Sequence, residues 1–309
     1  MSMWDYPTLA EIARETGEND IVDLVVDRRA GTFLGILPMK RIEGFAEPVQ
    51  QETSYPTVSW KRIGEGLTAS KGGSREIMVN VKRLAGLSDA EALKAEKNPG
   101  GVEAYRAKEA RKFLRALGKA ADYGFFYGQS SEKSVEGFFR LLDSGKDTYV
   151  SCGGVAETFS IYGIKFGEDA SYGFYSPFAD GNIFSMYPYD KAMKTVTQDG
   201  SSVELSVYQT EFNSLIGLGI ADPRAIGRIT KIDTENPLTL PKVDELYNAM
   251  GMKPDVFVMN FLGYSQFRQW KEAFVRMSPA ETGFNFDVQS MDGVPLVIDS
   301  NLVSNEGSL

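Results

Sequence analysis

A chain of 309 residues with 42% hydrophobic and 24% charged content has the balance of a folded globular protein. It is long enough to divide into two domains, because single cores tend to split beyond about 250 residues. With 33 basic against 42 acidic residues the net charge is −9, which excludes gripping phosphate backbones as its main task. There is no histidine and a single cysteine, Cys152, so imidazole metal ligation, Ser-His-Asp or Cys-His catalysis and an internal disulfide are all ruled out. Cys152 reads as a small buried apolar residue in a reducing compartment.

The opening stretch, MSMWDYPTLAEIARETGEND, lacks the basic start and apolar core of a signal peptide. No segment approaches the roughly 20 apolar residues of a membrane span, so no membrane partner is expected. Thr8 with Glu11 has capping-box spacing, and Leu9, Ile12 and Ala13 continue a helix until Gly17. Asn19 is placed to cap a second helix over Asp20 to Ala30. Residues 33–49, broken by Pro38, Gly44 and Pro48, read as an extended connector. From Thr53 to Leu84 two extended runs flank a glycine-rich reversal at Gly64, Gly66, Gly72 and Gly73. Val58 and Trp60 are expected to share one face of the first strand, and Ile77, Val79 and Val81 one face of the second.

Ser88 is a candidate cap for a short helix that Asn98-Pro99-Gly100-Gly101 ends. From Val102 to Asp122 apolar residues recur at three- and four-residue intervals, which predicts a long helix bound along one side. The aromatic, glycine-rich stretch YGFFYGQSSEKSVEGFFRLL then predicts a packed, irregular junction. The runs TFSIYGIKF, GFYSPF, VELSVYQTEF, LIGLGI and AIGRITKID predict strands of an antiparallel or mixed sheet. Toward the C-terminus a helix is expected at Lys242 to Gly251, a strand at Asp255 to Met259, a helix at Tyr264 to Arg276 and a strand at Val294 to Ile298.

Little here carries chemistry. Ser130 to Lys133 matches S-x-x-K without the companion motifs of serine acyl-transfer enzymes. No phosphate-binding glycine loop is present. Asp287, Asp292 and Asp299 read as solvated surface acids rather than an acid-base pair. The many tyrosines and phenylalanines follow strand and helix faces, as core or interface residues do. No catalytic residue, cofactor or metal is expected, and such a chain acts through its surfaces.

The hairpin is the most suggestive surface, because a two-stranded ribbon is marginal alone and needs something to lie against. It carries Lys61, Arg62, Lys71, Arg75, Lys82 and Arg83 against Glu65 and Glu76. Residues 277–309 instead carry Glu281, Asp287, Asp292, Asp299 and Glu306 with no Lys or Arg. The N-terminal helices are acidic too, so the ribbon is expected to meet an acidic neighbour, gaining orientation and on-rate from the charge. Trp60, Arg62, Lys71, Arg75, Ile77, Val79 and Val81 are the expected inter-subunit contacts.

This order of parts resembles the major capsid proteins of tailed bacteriophages, with their Hong Kong 97 type of fold. The segments TLAEIARETG, YPTVSWKRIGEG, FFYGQSSEKSVEGFFRL, LGIADPRAIGRITKID and DGVPLVIDSNLV look like the Gp7-like group of such proteins, in the right order. The resemblance implies an α+β capsid fold: an N-terminal arm over 1–44, an extended β-hairpin E-loop over 45–86 and a peripheral domain over 87–148 with its spine helix at 102–122. It further implies axial-domain parts at 149–190 and 234–309, the latter with the C-terminal strand, and β segments at 191–233 returning to the peripheral domain. Hexamers and pentamers of such a protein would form an icosahedral shell, assembled in the host bacterial cytoplasm. Packaged double-stranded DNA would be a non-specific neighbour, and scaffolding, portal and decoration proteins possible partners. An encapsulin-type nanocompartment, a tail or decoration protein and a carboxylate-dependent hydrolase are the alternatives.

Overall fold

Thr8 begins the first helix as its spacing predicts. In the computed structural model, which describes all residues except 1–5, 18, 27–30, 130–132, 144, 156, 179–180, 199–200, 270–274, 279–287 and 309, the Thr8 N–H donates to Glu11 Oε2 at 2.9 Å. Helix α1 (Leu9–Thr16) buries Leu9, Ile12 and Ala13 and stops at Gly17, whose φ of 82° suits a residue without a Cβ. Helix α2 (Asn19–Val25) buries Val22 and Val25. It is shorter than the expected helix to Ala30, whose last residues lie outside those described.

The connector expected from residue 33 holds a helix, α3 (Thr32–Ile36), and a strand, β1 (Met39–Arg41). The cause is tertiary. Asp122 accepts the N–H groups of Phe33 at 3.0 Å and Leu34 at 2.8 Å, satisfying the first turn of a helix too short to form alone.

The ribbon exists, but its first strand lies upstream of the expected one. Strand β2 (Ala46–Ser54) pairs with β3 (Gly73–Asn80), in register from Ala46↔Asn80 to Glu52↔Ser74 and shifted by one residue at Ser54↔Gly73. Residues 55–72 form no strand, so Val58 and Trp60 share no strand face. Pro56 opens that stretch and no partner strand is offered to it, whereas a two-stranded ribbon has free edges that tolerate Pro48.

Strand β4 (Lys82–Glu91) takes in Ser88, so Ser88 is a buried strand residue and not a helix cap. Ten consecutive pairs with a later strand override the local capping signal. Helix α4 (Ala92–Glu96) precedes α5 (Gly101–Tyr127), which runs on past Asp122 because Phe125, Phe126 and Tyr127 are buried with it. A Cβ at Gly118 would collide with the Val25 carbonyl oxygen, so α2 and α5 cross backbone to backbone. Helix α6 (Phe138–Leu141) completes the aromatic junction. There Phe126 packs 5.0 Å from the rings of both Phe33 and Tyr162.

The remaining chain builds two sheets. Its elements are β5 (Tyr149–Ser151), β6 (Phe159–Ile164), β7 (Ser171–Tyr175), β8 (Phe184–Gln198), β9 (Ser201–Ile220), β10 (Ile226–Ile232), α7 (Leu240–Met250), β11 (Val256–Met259), α8 (Phe261–Gln269), β12 (Val275–Ser278), β13 (Val288–Met291) and β14 (Val294–Ile298). The expected helix to Arg276 is described as far as Gln269, with 270–274 outside the described residues, and 275–278 pairs with 288–291 as a strand. The runs VELSVYQTEF and LIGLGI are one 20-residue strand, β9.

One sheet has the order β1-β7-β9-β4, with β8 also on β9; the other has seven strands in the order β12-β13-β14-β11-β6-β10-β5. Alternation along β6 and β11 divides the core. Tyr162, Ile164, Val256 and Val258 face α1, α2, α3 and α5, while Phe159, Ile161, Phe257 and Met259 face α7 and α8.

Candidate assembly surface

Loop 55–72 displays apolar side chains to solvent. Trp60 is 103% exposed and Ile63 108%, and Tyr55, Val58 and Leu67 are exposed with them. Covering such residues stabilises by about 1.5–3 kcal/mol each, so a cluster of five on one loop marks a surface awaiting a partner. The loop has its own bracing. Gly64 turns at a φ of 91°, the Arg62 N–H donates to Glu65 Oε2 at 3.0 Å, and Lys61 reaches Glu65 at 3.1 Å. These two donors hold the Glu65 carboxyl below its ordinary pKa. The Ser70 hydroxyl donates to the Thr57 carbonyl at 2.8 Å and draws the two limbs together.

The expected contact residues separate into two groups. Trp60, Arg62, Lys71 and Arg75 are exposed. Ile77, Val79 and Val81 are half-buried, and Val79 and Val81 pack on Ile42, Val49, Tyr172 and Phe174 of the same subunit. The ribbon base therefore belongs to the subunit's own core. It is also pinned by polar contacts the sequence did not suggest: Lys40 Nζ meets the buried Glu47 at 2.7 Å and sits 5.6 and 5.8 Å above the rings of Tyr6 and Tyr172. Gln51 Nε2 donates to the Ile220 carbonyl at 2.9 Å.

Two acids of the expected C-terminal patch are withdrawn from the surface. Asp299 and Glu306 are buried, Asp292 pairs with Lys253 at 2.9 Å, and Glu281 and Asp287 lie outside the described residues. Exposed Glu15, Asp20 and Asp23 on α1 and α2 remain as the acidic face.

Glu306 closes a buried network. Arg228 Nη2 donates to Glu306 Oε2 at 2.7 Å and its Nε to Ser160 Oγ at 3.0 Å, while Nη1 reaches the carbonyls of Phe139 and Leu142 at 3.2 Å. The guanidinium lies 4.1 Å from the Phe139 ring centre. One arginine thus ties β10, β6, α6 and the C-terminal turn together.

Asp122 and Asp299 form a second buried pair. Burial first, and then the neighbouring Asp299 carboxylate, pushes Asp122 well above the ordinary carboxylate range; burial also pushes Asp299 up to about 6. Asp299 Oδ2 has no hydrogen-bond partner among the described residues, and burial beside Asp122 favours keeping a proton on the pair. The folded state then holds more protons than the unfolded chain above about pH 3.9, and stability falls as pH rises through about 6 and beyond. Asp299→Asn keeps the acceptor for the Asn301 N–H and supplies Asp122 with a permanent donor. We expect this variant to be more stable than the parent by about 2–3 kcal/mol at pH 8 and to have a flatter profile of Tm against pH; an unchanged profile contradicts the shared proton.

Among the described residues nothing assembles a reactive centre. Burial raises the Cys152 thiol, and Ser130 of the S-x-x-K match lies outside the described residues. Among the described residues no group of three His, Cys, Asp or Glu side chains is arranged to hold a metal ion, and no helix is long and apolar enough to cross a membrane.

The family model for major capsid protein GP7 matches residues 45–253. Among solved structures, a chain of the bacteriophage Epsilon15 structure is 20% identical, with a TM-score of 0.55 and 86% of each chain covered. A chain of the bacteriophage JBD30 capsid is 12% identical, with a TM-score of 0.49, covering 89% of this chain and 91% of that one. No curated protein sequence matches.

Proposed function

The chain belongs to the major capsid protein GP7 family, and from that premise we propose that loop 55–72 is the element through which one subunit grips the next. The protein is a shell-forming structural protein of the phage type, with the Hong Kong 97 type of fold, and its place is the virion capsid. The observation that carries the loop's role is its exposed apolar row with Trp60 and Ile63 at the centre, on a ribbon whose base is locked into the subunit. In this reading residues 45–86 are the E-loop, 1–44 the arm beneath a neighbour, and 87–148 the peripheral domain. Residues 149–190 and 234–309 meet around the capsomer axis, and 191–233 return to the peripheral domain. Subunits form hexamers and pentamers of an icosahedral shell around double-stranded DNA, assembled in the host cytoplasm. Portal, scaffolding and decoration proteins complete the particle.

Charge orients the contact. Arg62, Lys71 and Arg75 are exposed and make no ion pair among the described residues, while Glu15, Asp20 and Asp23 face outward from the arm. Reversing all three cations to glutamate is expected to slow assembly at least tenfold at low salt and leave the subunit's Tm unchanged, read by light scattering and thermal melting. Assembly at the parental rate removes the role of charge.

A further inference from the structure

The outward face of α5, like the ribbon, runs against the net acidity of the molecule. Its exposed positions recur at helical spacing from Glu103 to Tyr123, and between them every exposed charge is a cation: Lys108, Arg111, Lys112, Arg115 and Lys119. Glu109 is half-buried beneath Lys112, which it meets at 2.8 Å. The row extends about 16 Å at 1.5 Å per residue. Lys108 with Lys112, Arg111 with Arg115, and Arg115 with Lys119 are like-charge pairs four residues apart, an arrangement that weakens a helix. In a chain with 42 acids, alternating Glu and Lys would have stabilised the same helix. The opposite face is fully engaged, with Leu114, Leu117, Gly118 and Ala121 buried, so the cations are not required by packing.

The uncharged positions identify the partner's chemistry. Ala104, Ala107, Ala116 and Ala120 make a low floor between the cations, and Tyr123, 44% exposed at the C-terminal end of the row, is the one large apolar side chain this face shows. A protein partner gains its affinity from apolar or aromatic anchors in desolvated pockets, and lysine is depleted at such interfaces. A phosphate backbone needs neither, only closely approachable cations. We propose that this face of α5 is a contact surface for the phosphate backbone of double-stranded DNA, made without sequence preference. The proposal rests on the reading of the protein as a DNA-enclosing shell. A row this short keeps each contact weak and salt-sensitive, and a shell of many copies sums them.

The test is fluorescence anisotropy of a short labelled duplex titrated with the unassembled full-length subunit across a salt series. Five engaged cations predict a slope of log affinity against log salt of about −4.5, at about 0.9 per phosphate neutralised, and the same slope for a second duplex of different sequence. Lys108→Ala, Arg111→Ala and Lys119→Ala together should flatten the slope by about 3 and weaken low-salt binding at least tenfold. Alanine suits an exposed helix, so the Tm of this variant should not fall. Binding unaffected by the triple change overturns the proposal. So does a polyglutamate peptide that binds the same residues more tightly than the duplex, which would assign the face to an acidic protein segment. Particle imaging reads the shell separately: shells without duplex binding by α5 overturn this inference alone, and duplex binding without shells overturns only the reading beneath it.

Discussion

Replacing Arg228 with methionine is expected to destabilise the subunit by about 3–5 kcal/mol. The methionine fills much of the space of the arginine stem, so the loss comes from electrostatics rather than from a cavity. Glu306, 4% exposed at its side chain, would keep the hydroxyl donor of Ser160 at 2.5 Å and lose its only cation among the described residues. The carbonyls of Phe139 and Leu142 would each lose a charged donor. A buried carboxylate without its cation is far more costly than no pair at all, so Arg228→Met with Glu306→Gln should recover most of the loss. Chemical denaturation of the two variants measures both steps. If the single and double variants are equally unstable, the cost is one of packing and the ion pair is not the clasp for the C-terminal turn.

The second large effect concerns assembly. Trp60→Ala, Ile63→Ala and Leu67→Ala together are expected to abolish shell formation while changing subunit stability by less than about 0.5 kcal/mol. The asymmetry follows from exposure: all three side chains are above 90% exposed in the subunit, so their removal creates no cavity there. Across a contact each contributes about 1.5–3 kcal/mol of apolar burial, and several kcal/mol are lost from every such contact in a closed shell. Sedimentation resolves subunits from particles directly. A variant that forms particles at the parental concentration would show that the loop's apolar row is not part of the contact.

The fold was legible where one segment's pattern meets one environment. Helix α5 showed in its three- and four-residue apolar spacing, and α7, β6, β10, β11 and β14 in runs whose two ends carry turn or cap signals. What stayed hidden depends on distant partners. Helix α3 is capped by Asp122, 88 and 89 residues away in sequence, and its own residues gave no start signal. Strand β8 alternates weakly because nearly all of its outer half is exposed, and its shape comes from pairing with β9. The ribbon's first strand, AEPVQQETS, is too polar to read as a paired strand, whereas YPTVSW alternates correctly and finds no partner.

The surface divides in the same way. Exposed cations and Trp60 could be named from composition and turn signals, since loop chemistry is local. The burial of Asp299 and Glu306 could not, because a tail acid looks alike whether it faces water or an arginine 78 residues earlier. That burial withdraws two of the five C-terminal acids, while Glu15, Asp20 and Asp23 of the N-terminal helices stay exposed.

The central claim is that this subunit closes into a shell by laying loop 55–72 on an adjacent copy. Electron cryo-microscopy of the purified, assembled protein tests it most directly. The account predicts closed particles in which Trp60 and Ile63 lie against a neighbouring subunit, with the base of the ribbon still on Tyr172 of its own. Discrete subunits under assembly conditions, or particles in which the loop folds back on its own chain, would contradict it.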